Sequence, residues 1–151
     1  MTNEMTDESD FVDRLKRAKE VILNEVNQRK AVSFIELEKL LKNNDLFIPQ
    51  IGDKGTAIGE IAFRPHITLW ATENRLLVEA FFQLYNEEKI QTDPADVLSY
   101  AAGGAVMDLP QPKLEQWSDD YVPKENESYW FPVVLNPYGT MTDFRKKMMK
   151  D

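Results

Sequence analysis

The sequence predicts a mixed α+β fold, a core of three helices with a small antiparallel sheet, and two patterns predict it. Apolar residues recur at spacings of three and four in the stretches that begin at Phe11, Phe34 and Glu73, the repeat of helices with one buried face. Elsewhere the apolar residues fall in short runs broken by Pro and Gly, as strands and turns do. At 151 residues, 42% hydrophobic and 29% charged, the chain fits one globular domain over residues 11 to 139. A disordered acidic segment, residues 1 to 10, is expected before it and a basic tail, residues 140 to 151, after it.

In residues 11 to 30, Phe11, Leu15, Ala18, Ile22 and Val26 make one helical face, with Arg14, Arg17, Asn24 and Gln28 on another. Ser33 followed by Glu36 is a capping box, in which hydroxyl and carboxylate reciprocally satisfy backbone N–H groups at a helix start. A second helix therefore begins at Phe34, buries Phe34, Ile35, Leu37, Leu40 and Leu41, and stops at Asn43 and Asn44. Residues 45 to 71 read as two or three short strands, the clearest being Ile67 to Ala71, and the glycines of "GDKGTAIGE" as a hairpin turn. No Gly-Lys-Ser/Thr ends that run, so it is not read as a phosphate loop.

Thr72 is placed to cap the third helix. Leu77, Ala80, Phe81 and Leu84 centre its apolar arc, flanked by Leu76 and Tyr85, with Arg75, Glu79, Gln83 and Asn86 opposite. "EEKI" then leads into a strand. Residues 94 to 109 support either a Gly-Gly hairpin, with strands Val97–Tyr100 and Ala105–Leu109, or a short helix begun by Asp93, Pro94 and Asp96. Their β-branched and aromatic content favours the hairpin. Residues 111 to 128 have the composition of an irregular loop, "YWFPVVL" is a strand run with Pro132 at an edge or bulge, and the last residues form at most a short basic helix.

A helix, a short "AVSF" segment feeding a capped helix, a long helix ending "LYNEEKI" and a Gly-turn hairpin resemble, in that order, the winged helix-turn-helix superfamily. The resemblance covers residues 11 to 44 and 72 to 110 and implies a winged-helix-like core. It assigns the DNA-reading role to the helix from Glu73, through Arg75, Gln83 and Asn86, and the wing role to residues 96 to 109. Winged-helix domains also serve as docking and dimerisation modules.

The net charge of −8 is unevenly spread. Residues 1 to 13 hold five acids and no base, and residues 65 to 139 hold twelve acids and four bases. Residues 14 to 64 hold ten bases and seven acids, so a nucleic-acid surface would draw on Arg14, Lys16, Arg17, Lys19, Arg29, Lys30, Lys39 and Lys42. The candidate reader and wing carry Glu73, Glu79, Glu87, Glu88, Asp93, Asp96 and Asp108, which repel phosphate. That weighs toward protein contacts.

Chemistry has few handholds here. His66 is the one histidine, there is no cysteine, and neither a nucleophile motif nor a metal-ligand spacing occurs, so no catalytic residue, cofactor or metal is expected. Absence of cysteine and of an exported-type or membrane-spanning segment suggests a cytoplasmic protein without a membrane partner. Trp117 and Tyr121 lie among Asp119 and Asp120, a combination suited to a protein-contact surface rather than to stacking on bases. The sequence thus favours a non-catalytic regulator or adaptor that binds a protein partner, basic if the acidic surface is used, and is compatible with a homodimer. A DNA-binding regulator using the basic first half is the alternative.

Overall fold

The computed structural model describes residues 3–52, 55–57, 59–64, 67–95, 100 and 128–149. They form a mixed α+β structure with four helices and two small three-stranded sheets. Helix α1 spans Asn3–Arg29. It begins eight residues before the apolar repeat, so the acidic segment expected to be disordered is helical from Asn3. Acids near a helix N-terminus suit its dipole, which favours that extension. Ala18, Ile22 and Val26 are fully buried, with Phe11 and Leu15 packed beside them.

The chain leaves α1 through Lys30 and Ala31, both left-handed with φ of 58° and 48°. The Ala31 N–H donates to Asn136 Oδ1 at 2.8 Å, which fixes this reversal against a distant strand. Strand β1 (Val32–Ser33) follows, then α2 (Phe34–Asn43). The capping box forms as expected: Ser33 Oγ accepts from the Glu36 N–H at 3.2 Å while Glu36 Oε1 accepts from the Ser33 N–H at 3.3 Å. Phe34, Ile35, Leu37 and Leu41 are buried, and Asn44 closes the helix.

The next region holds four strands, one more than the upper expectation: β2 (Gln50–Gly52), β3 (Gly55–Ala57), β4 (Gly59–Arg64) and β5 (Ile67–Thr72). Strands β2 and β3 pair antiparallel with Gly52 opposite Gly55, in keeping with the hairpin turn read from the glycines. The third helix, α3 (Arg75–Asn86), is capped by Asn74 and not by Thr72. Asn74 Oδ1 accepts from the Leu76 N–H at 3.1 Å, while Thr72 Oγ1 accepts from the Asn74 N–H at 3.1 Å and sets that residue in place. Leu76, Leu77, Ala80, Phe81 and Leu84 are buried, so α3 is a core helix.

Strand β6 (Ile90–Pro94) leads on to Tyr100, which is helical where the hairpin reading put a strand. The remainder of residues 96 to 109 lies outside the described residues. Then come β7 (Tyr129–Trp130), β8 (Val133–Pro137) and α4 (Asp143–Met149). "YWFPVVL" is therefore two strands in two sheets. Strand β8 is the middle of the antiparallel order β1–β8–β6, whereas β7 runs parallel to β5 at the edge of the order β4–β5–β7. Pro132, which cannot donate to a ladder, marks the crossing. On one side the Phe131 N–H donates to Thr68 O, and on the other Pro132 O accepts from the Ala95 N–H, both at 2.9 Å.

The sheets meet over an aromatic cluster. Tyr100 lies 5.1 Å from Trp70 and 5.4 Å, edge-on, from Trp130 between ring centroids. Its hydroxyl donates to Val133 O at 2.5 Å and accepts from the Phe34 N–H at 3.3 Å, joining β8 to the start of α2. Trp130 Nε1 donates to Leu69 O at 3.1 Å and Trp70 Nε1 to Glu38 Oε1 at 2.8 Å, so both buried indoles have the partner they need.

Candidate binding groove between the first and third helices

Two contacts set α1 against α3. At one end the Arg75 guanidinium stacks 4.3 Å over the Phe11 ring, and at the other Lys19 Nζ meets Glu87 Oε2 at 2.9 Å. Both pairs follow chain order, so the helices run in the same direction. Between and beyond these contacts lies an open groove of about 560 Å³. Val12, Leu15 and Leu23 of α1 and Leu84 of α3 give it apolar surface, and Lys16, Lys19, Glu20, Gln83, Glu87 and Lys89 carry its polar groups. Val12 is 61% exposed. An apolar side chain so placed among others is a surface suited to covering by a partner.

The sequence held a signal for this groove that the core stripe obscured. Val12 and Leu23 lie beside the buried face and widen the apolar arc beyond what the core uses, with Lys16 and Lys19 between them at the same three-and-four spacing.

The candidate nucleic-acid residues are divided by the structure. Arg14 donates through Nη2 to Asp45 O at 2.9 Å and Phe47 O at 3.1 Å, so it holds the turn after α2. Arg29 pairs with Glu36 at 2.6 Å and Glu25 at 3.2 Å, and these carboxylates, the Glu25 hydrogen bond first, raise the guanidinium's pKa. Lys42 Nζ sits 5.4 Å from the Phe47 ring centroid. Arg75, besides Phe11, faces Glu79 at 3.6 Å. Lys16, Arg17, Lys30 and Lys39 are exposed and form no ion pair among the described residues. Lys16, Lys19 and Gln83 come together in the groove, and Asn86 is exposed near the end of α3. Trp117, Asp119, Asp120, Tyr121 and His66 lie outside the described residues.

Asp93, expected as a helix cap or wing carboxylate, is instead buried in β6. It accepts from Gln91 Nε2 at 2.9 Å, Asn136 Nδ2 at 2.8 Å and Arg145 Nε at 2.6 Å. Three donors, from β6, β8 and α4, therefore share one carboxylate, and the basic tail is docked by it. Sequence reasoning missed this cluster, because nothing local marks Gln91 or Asn136 as its partners.

A smaller cleft of about 270 Å³ lies where Glu38 and Lys42 of α2 face residues 71 to 74 and Phe47. Among the described residues, no helix is long and apolar enough to cross a membrane. No family model matches this chain, and neither the curated proteins nor the solved structures contain a match to it.

Proposed function

We propose that the protein is a non-catalytic docking module with a winged-helix-like core, and that its partner is a protein held in the groove between α1 and α3. The observation that carries this reading is Val12, exposed beside the partly buried Leu15 and Leu23 in a groove that the buried Leu84 of α3 floors and charges of both signs rim. A trough of this shape accepts the apolar face of another helix. The winged-helix-like core is supported by element order. Helices α1, α2 and α3, with β1 between the first two, follow part of the order on which the resemblance rests, while four strands separate α2 from α3 and the expected hairpin at residues 96 to 109 is helical at Tyr100 and otherwise outside the described residues.

DNA has less support as the partner. Arg14, Lys19, Arg29, Lys42 and Arg75 hold internal partners, and counterion release needs cations free to meet phosphates. A photo-crosslinking side chain placed at Val12, compared with one at the exposed Gln28, tests the reading in the native host. A discrete coupled polypeptide from position 12 alone, identified by mass, is expected. Equal or absent coupling at the two positions, together with salt-sensitive binding of mixed-sequence duplex, would replace the docking reading with the DNA one.

A further inference from the structure

From Asn3 to Lys19 helix α1 is divided in charge, and that division is complementary to itself. The charged residues among 1 to 13 are all acids, whereas Arg14, Lys16, Arg17 and Lys19 follow within six residues without an acid among them. Two such helices repel when laid side by side in the same direction and attract when laid in opposite directions. An antiparallel pair is also what a two-fold axis generates, and two-fold dimers have self-complementary interfaces.

The apolar surface has the same symmetry. With the axis passing between Asp13 and Arg14, Val12 of one copy falls opposite Leu15 of the other, and Leu15 opposite Val12. Asp13 and Lys16, both exposed and on one flank of the groove face, then approach Lys16 and Asp13 of the second copy. Antiparallel helices place flank against like flank, so this pairing is reciprocal. Helix α1 is 27 residues long, which gives an overlap of several turns for such a seam.

We propose that the occupant of the groove is a second copy of this chain, whose α1 packs antiparallel on α1 about a two-fold axis near Val12 and Leu15. This rests on the docking reading and names its partner. The seam covers Val12, places apolar residues against apolar residues at its centre, and sets each copy's acidic end beside the other's basic stretch. Lys19 already pairs with Glu87 within one copy, so Asp13 and Lys16 carry the intermolecular charge pairing.

Sedimentation equilibrium of the full chain, from micromolar to near-millimolar loading, is the test. Wild type is expected at twice 17.5 kDa, with dissociation favoured by added salt. Val12→Glu is expected at the single mass with unchanged circular dichroism. Should Val12→Glu fail to fold, two variants at exposed sites decide. Asp13→Lys and Lys16→Glu each lose the dimer alone, and mixing them restores it, because only the mixed pair again sets opposite charges across the axis. A single mass for wild type throughout, or a dimer that survives Val12→Glu and both charge reversals, overturns the proposal. A monomer whose position-12 crosslinker still couples a different polypeptide overturns the dimer alone and leaves the docking reading standing.

Discussion

Arg145 of α4 donates through Nε to Asp93 of β6 at 2.6 Å, and the carboxylate it reaches is only 3% exposed. The same guanidinium donates through Nη2 to Thr92 O at 2.9 Å. Arg145→Ala removes the one cation that pairs with this buried carboxylate among the described residues and is expected to cost roughly 1.5–3 kcal/mol, toward the lower end because the guanidinium is partly exposed. Asp93→Ala should cost more, since it leaves donors on Gln91, Asn136 and Arg145 without their acceptor. Urea denaturation of both variants checks the order, and equal losses would mean that the cluster is not centred on Asp93.

Tyr100→Phe deletes a hydroxyl that serves both the Phe34 N–H and the Val133 carbonyl. Leaving buried polar groups without a partner costs about 1–3 kcal/mol. Burial raises the phenol's pKa, with the backbone contacts to Phe34 and Val133 opposing it. Folding therefore favours the neutral phenol. Its contribution is fully present below the unfolded value of about 10 and is lost as pH rises above it toward the folded value. Melting curves of wild type and Tyr100→Phe, compared across that range, should converge as pH increases.

Asn74→Ala breaks a buried junction. The side chain accepts from the Leu76 and Ile48 N–H groups and donates to Leu46 O at 3.0 Å. Losing a helix cap costs about 1 kcal/mol, and the orphaned Leu46 carbonyl adds roughly 1–3 kcal/mol. Asn74→Asp keeps the cap but not the donor, so it should fall between Ala and wild type in a denaturant titration.

Ser33→Ala isolates the purely local effect. It removes the acceptor for the Glu36 N–H and is expected to lower stability by about 1 kcal/mol. A loss well beyond that in the same titration would show that Ser33 also holds the β1–β8 pairing.

These positions show what could be read from sequence. The Ser33–Glu36 box was legible because both partners lie within one turn. The cap of α3 was placed two residues early, because the choice of Asn74 is made by Leu46 and Ile48, which pattern reading does not reach. The buried stripes of α1, α2 and α3 followed directly from their period. "YWFPVVL" was legible as extended chain, but its division between two sheets depends on Thr68 and Ala95. For the candidate site, the cations were visible as charge while their partners were not. Arg14 bonds a carbonyl 31 positions away and Lys19 a carboxylate 68 positions away. Val12 stands in the sequence as an apolar residue beside the core stripe, and only the position of α3 makes it a wall of a groove.

At Pro132 the chain leaves β7, paired to β5, and enters β8, the central strand of the other sheet. Residues 45 to 74 are consequently not a detachable graft on a helical core. Excising them would strip β7 of its neighbour and take the Leu69 carbonyl from the Trp130 indole. The damage would pass along one continuous backbone into β8. Length changes and epitope grafts belong instead in the β2–β3 ladder, which pairs with no other strand among the described residues.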